Sequence, residues 1–178
     1  FFLPICFICF GGRKEKLFSK TNGKETKAIM SAYSNMTPAQ VRGKIRNQEI
    51  TGNTSGMCSG YAQANLVILP KNQAYDFLLF AQRNPFSCPL LEVSDTGSRE
   101  LRYIAKNADI ATDLPKYRVY KNGCLAEERL SVEDLWQDDF VSFLIGFSFF
   151  FEAALLEAGL PVWHIEEGRH VPMFNTNI

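Results

Sequence analysis

The residues best suited to chemistry lie in a few short blocks. Gly52, Gly56 and Gly60 recur at four-residue intervals in TGNTSGMCSG (51–60). The pattern lacks the Gly-Lys-Ser/Thr ending of a P-loop and is not GxGxxG, so nucleotide binding is disfavoured. Glycines still let a backbone approach a ligand closely and turn N–H groups onto an anion, which suits the carboxylate of a small acid. The same loop also reads as a plain connector between a helix and a strand. Asp109 and Asp113 stand four residues apart in ADIATDLP (108–115), where they serve either as acid/base groups or as caps of a turn before Pro115. Glu152 follows Phe149, Phe150 and Phe151. If buried it becomes a general acid near neutrality, and on a solvent face it does nothing.

Other patterns fall short. Gly146-Phe147-Ser148-Phe149-Phe150 lacks the second glycine of a nucleophile elbow, so a serine hydrolase is disfavoured. His164 and His170 flank Glu166 and Glu167, but His-x5-His with scattered cysteines matches no zinc spacing, so no metal and no cofactor is expected. Cys6-Phe-Ile-Cys9 has redox spacing but no strand before it and no helix cap after it.

These groups need elements to hold them. Thr37-Pro38-Ala39-Gln40 predicts a helix start with a capping box, and Val41 and Ile45 share one face beyond it. ANLVIL (64–69) predicts a buried strand ended by Pro70. Ala74, Phe77, Leu78 and Ala81 predict a helix over 71–83, closed near Asn84-Pro85. Strands are expected at 89–93 and 101–105, and around the Asn122-Gly123 hairpin signal within 117–130. Ser131 reads as a further N-cap, FVSFLIGFSFFF (140–151) as a buried core segment, and Gly159 as the residue that ends a helix over 149–158. Strands are also expected at 162–167 and 171–174. Alternating helices and strands give an α/β (α+β mixed) class: a mixed β-sheet with flanking helices, incomplete at its C-terminal end.

The composition sets the frame. The chain has 178 residues, 46% hydrophobic and 21% charged, which is the profile of a globular domain. Nineteen basic and nineteen acidic residues balance, so no nucleic-acid partner is expected. Residues 11–27 hold six Lys/Arg against two Glu, and residues 1–35 lack apolar periodicity. They read as a leader or non-native extension ahead of a domain at 36–178. No apolar run approaches the twenty or so residues of a membrane span. Five irregularly spaced cysteines fit reduced thiols in the cytoplasm, with the mitochondrial matrix as the alternative.

Several blocks occurring in order carry a resemblance. They are Thr54-Ser55-Gly56, Gly60-Tyr61-Ala62-Gln63-Ala64-Asn65 through Leu69-Pro70, and Asn84-Pro85 before Cys88-Pro89-Leu90-Leu91. Asp109-Ile110 with Thr112-Asp113-Leu114-Pro115, Phe143-Leu144-Ile145-Gly146, Phe151-Glu152 and the block from His164-Ile165-Glu166 to Thr176-Asn177-Ile178 complete the set. Together they resemble the hydro-lyase family that includes D-glutamate cyclase, which converts D-glutamate to 5-oxo-D-proline and water. Departures from the family pattern fall at Ala111, Phe147, Phe150 and Trp163, and members continue beyond the Thr-Asn-Ile block, so the chain reads as an N-terminal portion.

The resemblance implies a small carboxylic or amino acid as substrate, and self-association into a homo-oligomer is expected from the apolar segments. It implies a carboxylate clamp, a general base, a general acid and oxyanion donors. Backbone N–H groups at Gly56, Cys58 and Gly60, with Tyr61, Gln63 and Asn65, are the candidates to bind the carboxylates. Asp113 and Glu152 are the candidate acid and base, His164 a reserve base and Arg118 a reserve clamp. Cys58 is a further candidate as a nucleophile. A non-catalytic carboxylate-binding module, or an inactive family member, is the competing reading.

Overall fold

A computed structural model describes residues 2–3, 32–52, 54, 57–58, 61–146, 155 and 158–161. The elements in order are β1 (Phe2–Leu3), α1 (Pro38–Arg46), β2 (Ala64–Pro70), α2 (Lys71–Arg83), β3 (Leu90–Val93), β4 (Tyr117–Lys121), β5 (Cys124–Arg129), a 3₁₀ turn at Glu133–Leu135, and β6 (Phe140–Gly146).

The helix start at Thr37 forms as the sequence predicts. Gln40 N–H donates to Thr37 Oγ1 at 3.4 Å, and Thr37 N–H donates back to Gln40 Oε1 at 2.9 Å. Two otherwise orphaned donors are thereby satisfied. Val41 and Ile45 bury against Ile50, Met57 and Cys58. The predicted second helix spans Lys71–Arg83, with Ala74 and Ala81 buried on its inner face.

Two three-stranded sheets form, ordered β1-β4-β5 and β2-β6-β3, and every described pairing is antiparallel. Helices and strands mix as the sequence predicts. The antiparallel pairing follows from the connections, because the Asn122-Gly123 turn folds β5 directly back on β4. Both turn residues have positive φ, 52° and 78°, the geometry that matches strand twist in a two-residue hairpin.

The central strand β6 is buried along its whole length between β2 and β3. One face of this sheet (Leu66, Ile68, Phe140, Leu144) packs on Ile110, Leu114, Tyr117 and Val119. The other (Val67, Leu69, Val141, Phe143, Ile145) packs with Phe77 and Leu78 of α2, where the Phe77 and Phe143 rings meet edge to face at 4.9 Å. Burial on both faces explains why β2 and β6 read as near-continuous apolar runs, interrupted by Asn65 and Ser142, rather than alternating ones.

Two sequence expectations change. Residues 101–105 form no strand. A register shift at Leu90/Glu92 sets Glu92 opposite Leu144. There the buried Glu92 carboxylate accepts the N–H groups of Arg102 (2.6 Å), Tyr103 (3.1 Å) and Ile104 (2.8 Å). Backbone donors that a strand would spend on a neighbour are drawn onto one side chain. Ser131 does not cap a longer helix either. Its hydroxyl accepts Glu133 N–H at 3.3 Å and donates to Ala111 O at 3.4 Å, and a single 3₁₀ turn follows. Gly159 has φ +73°, and Leu160 N–H donates to Leu155 O at 2.9 Å, while most of the helix expected over 149–158 lies outside the described residues. The strands expected at 162–167 and 171–174 lie outside the described residues. Among the described residues no helix is long and apolar enough to cross a membrane.

Candidate functional site

One cavity of about 380 Å³ opens between α1, residues 54–66, residues 101–115 and Leu144 of β6. Its volume falls within the range of small-molecule sites. Most of its described lining is apolar, including Val41, Ile45, Leu66, Leu101 and Ile110. Polar groups reach it from Arg42, Thr54, Cys58, Tyr61, Gln63 and Asp113.

Asp113 is the electrostatic centre. Its side chain is 2% exposed, yet its carboxylate is richly partnered. Arg46 forks onto it, Nε to Oδ1 and Nη2 to Oδ2, the latter at 2.7 Å. Asp109 N–H donates to Oδ2 at 3.0 Å, and Thr112 Oγ1 donates to Oδ1 at 3.2 Å. Arg42 Nε lies 3.3 Å from Oδ2. The hydrogen bonds that Arg46 donates to Asp113 raise its guanidinium above its ordinary value. A carboxylate so occupied is an anion that anchors Arg46 through a two-point fork and faces Arg42 without a hydrogen bond to it.

Asp109 performs a parallel task one turn earlier. Arg99 forks onto its carboxylate and also reaches Glu133 at 2.6 Å, while Asp109 Oδ1 accepts Ala111 N–H at 2.9 Å. The two aspartates thus knot residues 109–113 into a rigid turn, as the capping reading of this block proposes.

The loop before β2 brings in three more candidates. Cys58 has φ +53° and is buried, and burial pushes its thiol pKa up, with the nearby Arg42 charge opposing more weakly. A protonated thiol is a poor nucleophile. Gln63 donates to Thr54 O at 2.7 Å and to Met57 O at 3.2 Å, so its amide ties the loop to the strand entrance. Tyr61 stands half-exposed at the cavity edge.

The structure therefore gathers Cys58, Tyr61, Gln63 and Asp113 around one space. It does not bring Asn65 or Arg118 there. Successive strand residues face opposite sides, so with Ala64 and Leu66 lining the cavity, Asn65 turns toward the α2 face. Arg118 lies on the β4–β5 hairpin, with Nε donating to Glu128 Oε1 at 2.9 Å. Gly56, Gly60, Glu152 and His164 lie outside the described residues. Of the cysteines, Cys58, Cys88 and Cys124 are free.

Arg42 and Arg46 are absent from the sequence-based candidates. Their signal was present: two arginines at i and i+4 on a capped helix without acids of its own, which places both on one side. Which distant carboxylate they meet depends on the tertiary packing.

A family model described as D-glutamate cyclase matches residues 141–178, which include most of β6. A Clostridium beijerinckii protein named "Putative hydro-lyase" is 71% identical over 146 residues, covering 82% of this chain and 56% of that protein. Same-named proteins from Psychrobacter arcticus and Stutzerimonas stutzeri are 57% and 56% identical over 149 residues, covering 84% of this chain and 57% and 56% of their own lengths. The chain spans about half the length of the curated relatives it matches. With a relative 71% identical over 82% of this chain and the family match over residues 141–178, the chain belongs to the hydro-lyase family that includes D-glutamate cyclase.

Proposed function

We propose that the protein acts as a hydro-lyase converting D-glutamate to 5-oxo-D-proline and water in the cavity beside Asp113. The observation that carries this reading is the D-glutamate cyclase match over residues 141–178, whose β6 portion contributes Leu144 to the cavity wall.

Ring closure joins the substrate α-nitrogen to its γ-carboxyl carbon. The ammonium gives up two protons, the N–C bond forms, one C–O bond breaks, and that oxygen leaves with both protons as water. Two proton carriers are needed, one for the nitrogen and one for the departing oxygen. In this reading Glu152 and His164 carry protons, and the backbone N–H groups of Gly56, Cys58 and Gly60 serve as donors to the substrate carboxylates. Asp113 serves as an anchor for the arginines. The apolar walls limit water, which favours a reaction that expels it.

A second reading, a carboxylate-binding module without turnover, draws support from the full occupancy of the Asp113 carboxylate. One experiment separates the two. Purified protein is incubated with D-glutamate, and product is resolved by chiral chromatography alongside a ligand-dependent melting curve. Formation of 5-oxo-D-proline that is lost in Glu152→Gln supports the cyclase. A raised melting temperature without product supports the binding module. Neither product nor a melting shift overturns both.

A further inference from the structure

Arg42 and Arg46 approach the same carboxylate, but they do not use it alike. Arg46 holds Asp113 through a two-point fork. Arg42 Nε sits 3.3 Å from Oδ2, buried and without a hydrogen bond in good geometry among the described residues. Of the five N–H donors of the Arg42 guanidinium, one has a described hydrogen-bond partner, Nη2 to Lys106 O at 3.3 Å. Arg42 lines the cavity, and Arg46 is not among its lining residues. Among the described lining residues, Arg42 and Asp113 are the charged ones. The nearby Asp109 carboxylate is taken up by Arg99.

Charge arithmetic then decides what this end of the cavity prefers. Two guanidinium charges face one carboxylate, which leaves one positive charge. Because the fork of Arg46 occupies Asp113, that surplus resides on Arg42, at the cavity wall. A half-buried guanidinium, its Nε buried and its other donors largely unspent, is a site for a planar monoanion.

We propose that Arg42 binds the carboxylate of the ligand that persists through the reaction, and that Arg46 is a positioning residue that keeps Asp113 from claiming Arg42. This inference deepens the cyclase reading and rests on it for the identity of the ligand. In cyclisation the γ-carboxyl loses an oxygen while the α-carboxylate survives into 5-oxo-D-proline. A group that grips the α-carboxylate therefore binds substrate and product alike, and the product should compete with the substrate.

The test is calorimetric titration of the 178-residue chain with 5-oxo-D-proline, D-glutamate and propionate, and with the amide of 5-oxo-D-proline as the uncharged control. The carboxylates should bind and the amide should not. Arg42→Gln should weaken 5-oxo-D-proline binding by about tenfold or more, the loss of a charge-assisted bidentate contact. Arg42→Lys keeps the charge and guards against a folding defect; it should recover only part of the affinity. Arg46→Gln should weaken binding although it is not at the cavity, because Asp113 then recruits Arg42. Adding Asp113→Asn to Arg46→Gln should restore binding, since one uncompensated guanidinium again faces the cavity. A purely structural role for Arg46 would not be rescued by that second change. Unchanged binding in Arg42→Gln, no carboxylate binding by the unmodified chain, or no rescue in the double variant overturns the proposal. Carboxylate binding that depends on Arg42 without any turnover of D-glutamate would sink the cyclase reading and leave this inference standing.

Discussion

The Tyr117 hydroxyl, on a ring with no solvent exposure, donates to the Ile110 carbonyl at 3.0 Å. The same oxygen accepts Leu114 N–H at 3.2 Å. One phenol thus pins both ends of the turn that carries Asp113, and it does so from β4, the strand that begins where the turn ends. The position of the Asp113 carboxylate, and through it of Arg42 and Arg46, is inherited from this buried pair of bonds.

Tyr117→Phe removes both bonds and leaves two buried backbone groups without partners, while the ring still fills its place. The expected loss is about 1–3 kcal/mol, the usual penalty for stranded buried polar groups. Equilibrium denaturant unfolding measures it. A change within experimental error would show that the turn is held by its aspartates alone.

Glu92 offers a second check on how residues 101–105 are shaped. Its two oxygens take three N–H groups, two on Oε1 and one on Oε2. Glu92→Ala should destabilise by about 1–3 kcal/mol, because three backbone donors lose the buried carboxylate that gathers them. Glu92→Gln retains one acceptor oxygen and should cost less. Equal effects from the two variants would show that the carboxylate is not what organises this segment.

Gly97 sits at φ +78°, and a Cβ there would lie 2.7 Å from Asp138 O. Its N–H donates to Phe140 O at 2.7 Å and its carbonyl accepts Trp136 Nε1 at 3.0 Å, so the backbone has little freedom to shift. Gly97→Ala should lower stability by about 2 kcal/mol, from the left-handed backbone penalty together with the clash. Thermal unfolding reads this directly, and a neutral Gly97→Ala would place the strain elsewhere.

Cys58 gives a prediction in pH. Burial raises its pKa, so the folded state holds the thiol proton more tightly than the unfolded state does. The resulting stability is fully present below the ordinary thiol value and is lost as pH rises through the raised one. The melting temperature should therefore fall between those two values more steeply in the unmodified protein than in Cys58→Ala. Alkylation at pH 8 should label the exposed Cys124 well before Cys58. Labelling of both at one rate would mean that the loop opens freely.

The local elements were legible in the sequence because their causes are local. The capping box at Thr37 closes within four residues, the Asn122-Gly123 turn needs only two residues of positive φ, and the helix at 71–83 declares itself by apolar spacing. The family blocks, likewise, are contiguous. What the sequence left open depends on contacts between distant segments. Residues 101–105 have the composition of a strand, but a carboxylate ten residues upstream gathers their donors. Asn65 sits in a motif with Gln63, yet Gln63 lies in the loop before β2, whereas Asn65 lies within the strand and faces away from the cavity-lining Ala64 and Leu66. Asp113 reads as an acid or base from its own segment, and only the docking of α1 brings the Arg46 and Arg42 guanidinium groups to it from 67 and 71 residues away in sequence. A side chain's type sets the chemistry it can do, but its charge partners and its dielectric surroundings set the chemistry it does, and those exist only once the chain has folded.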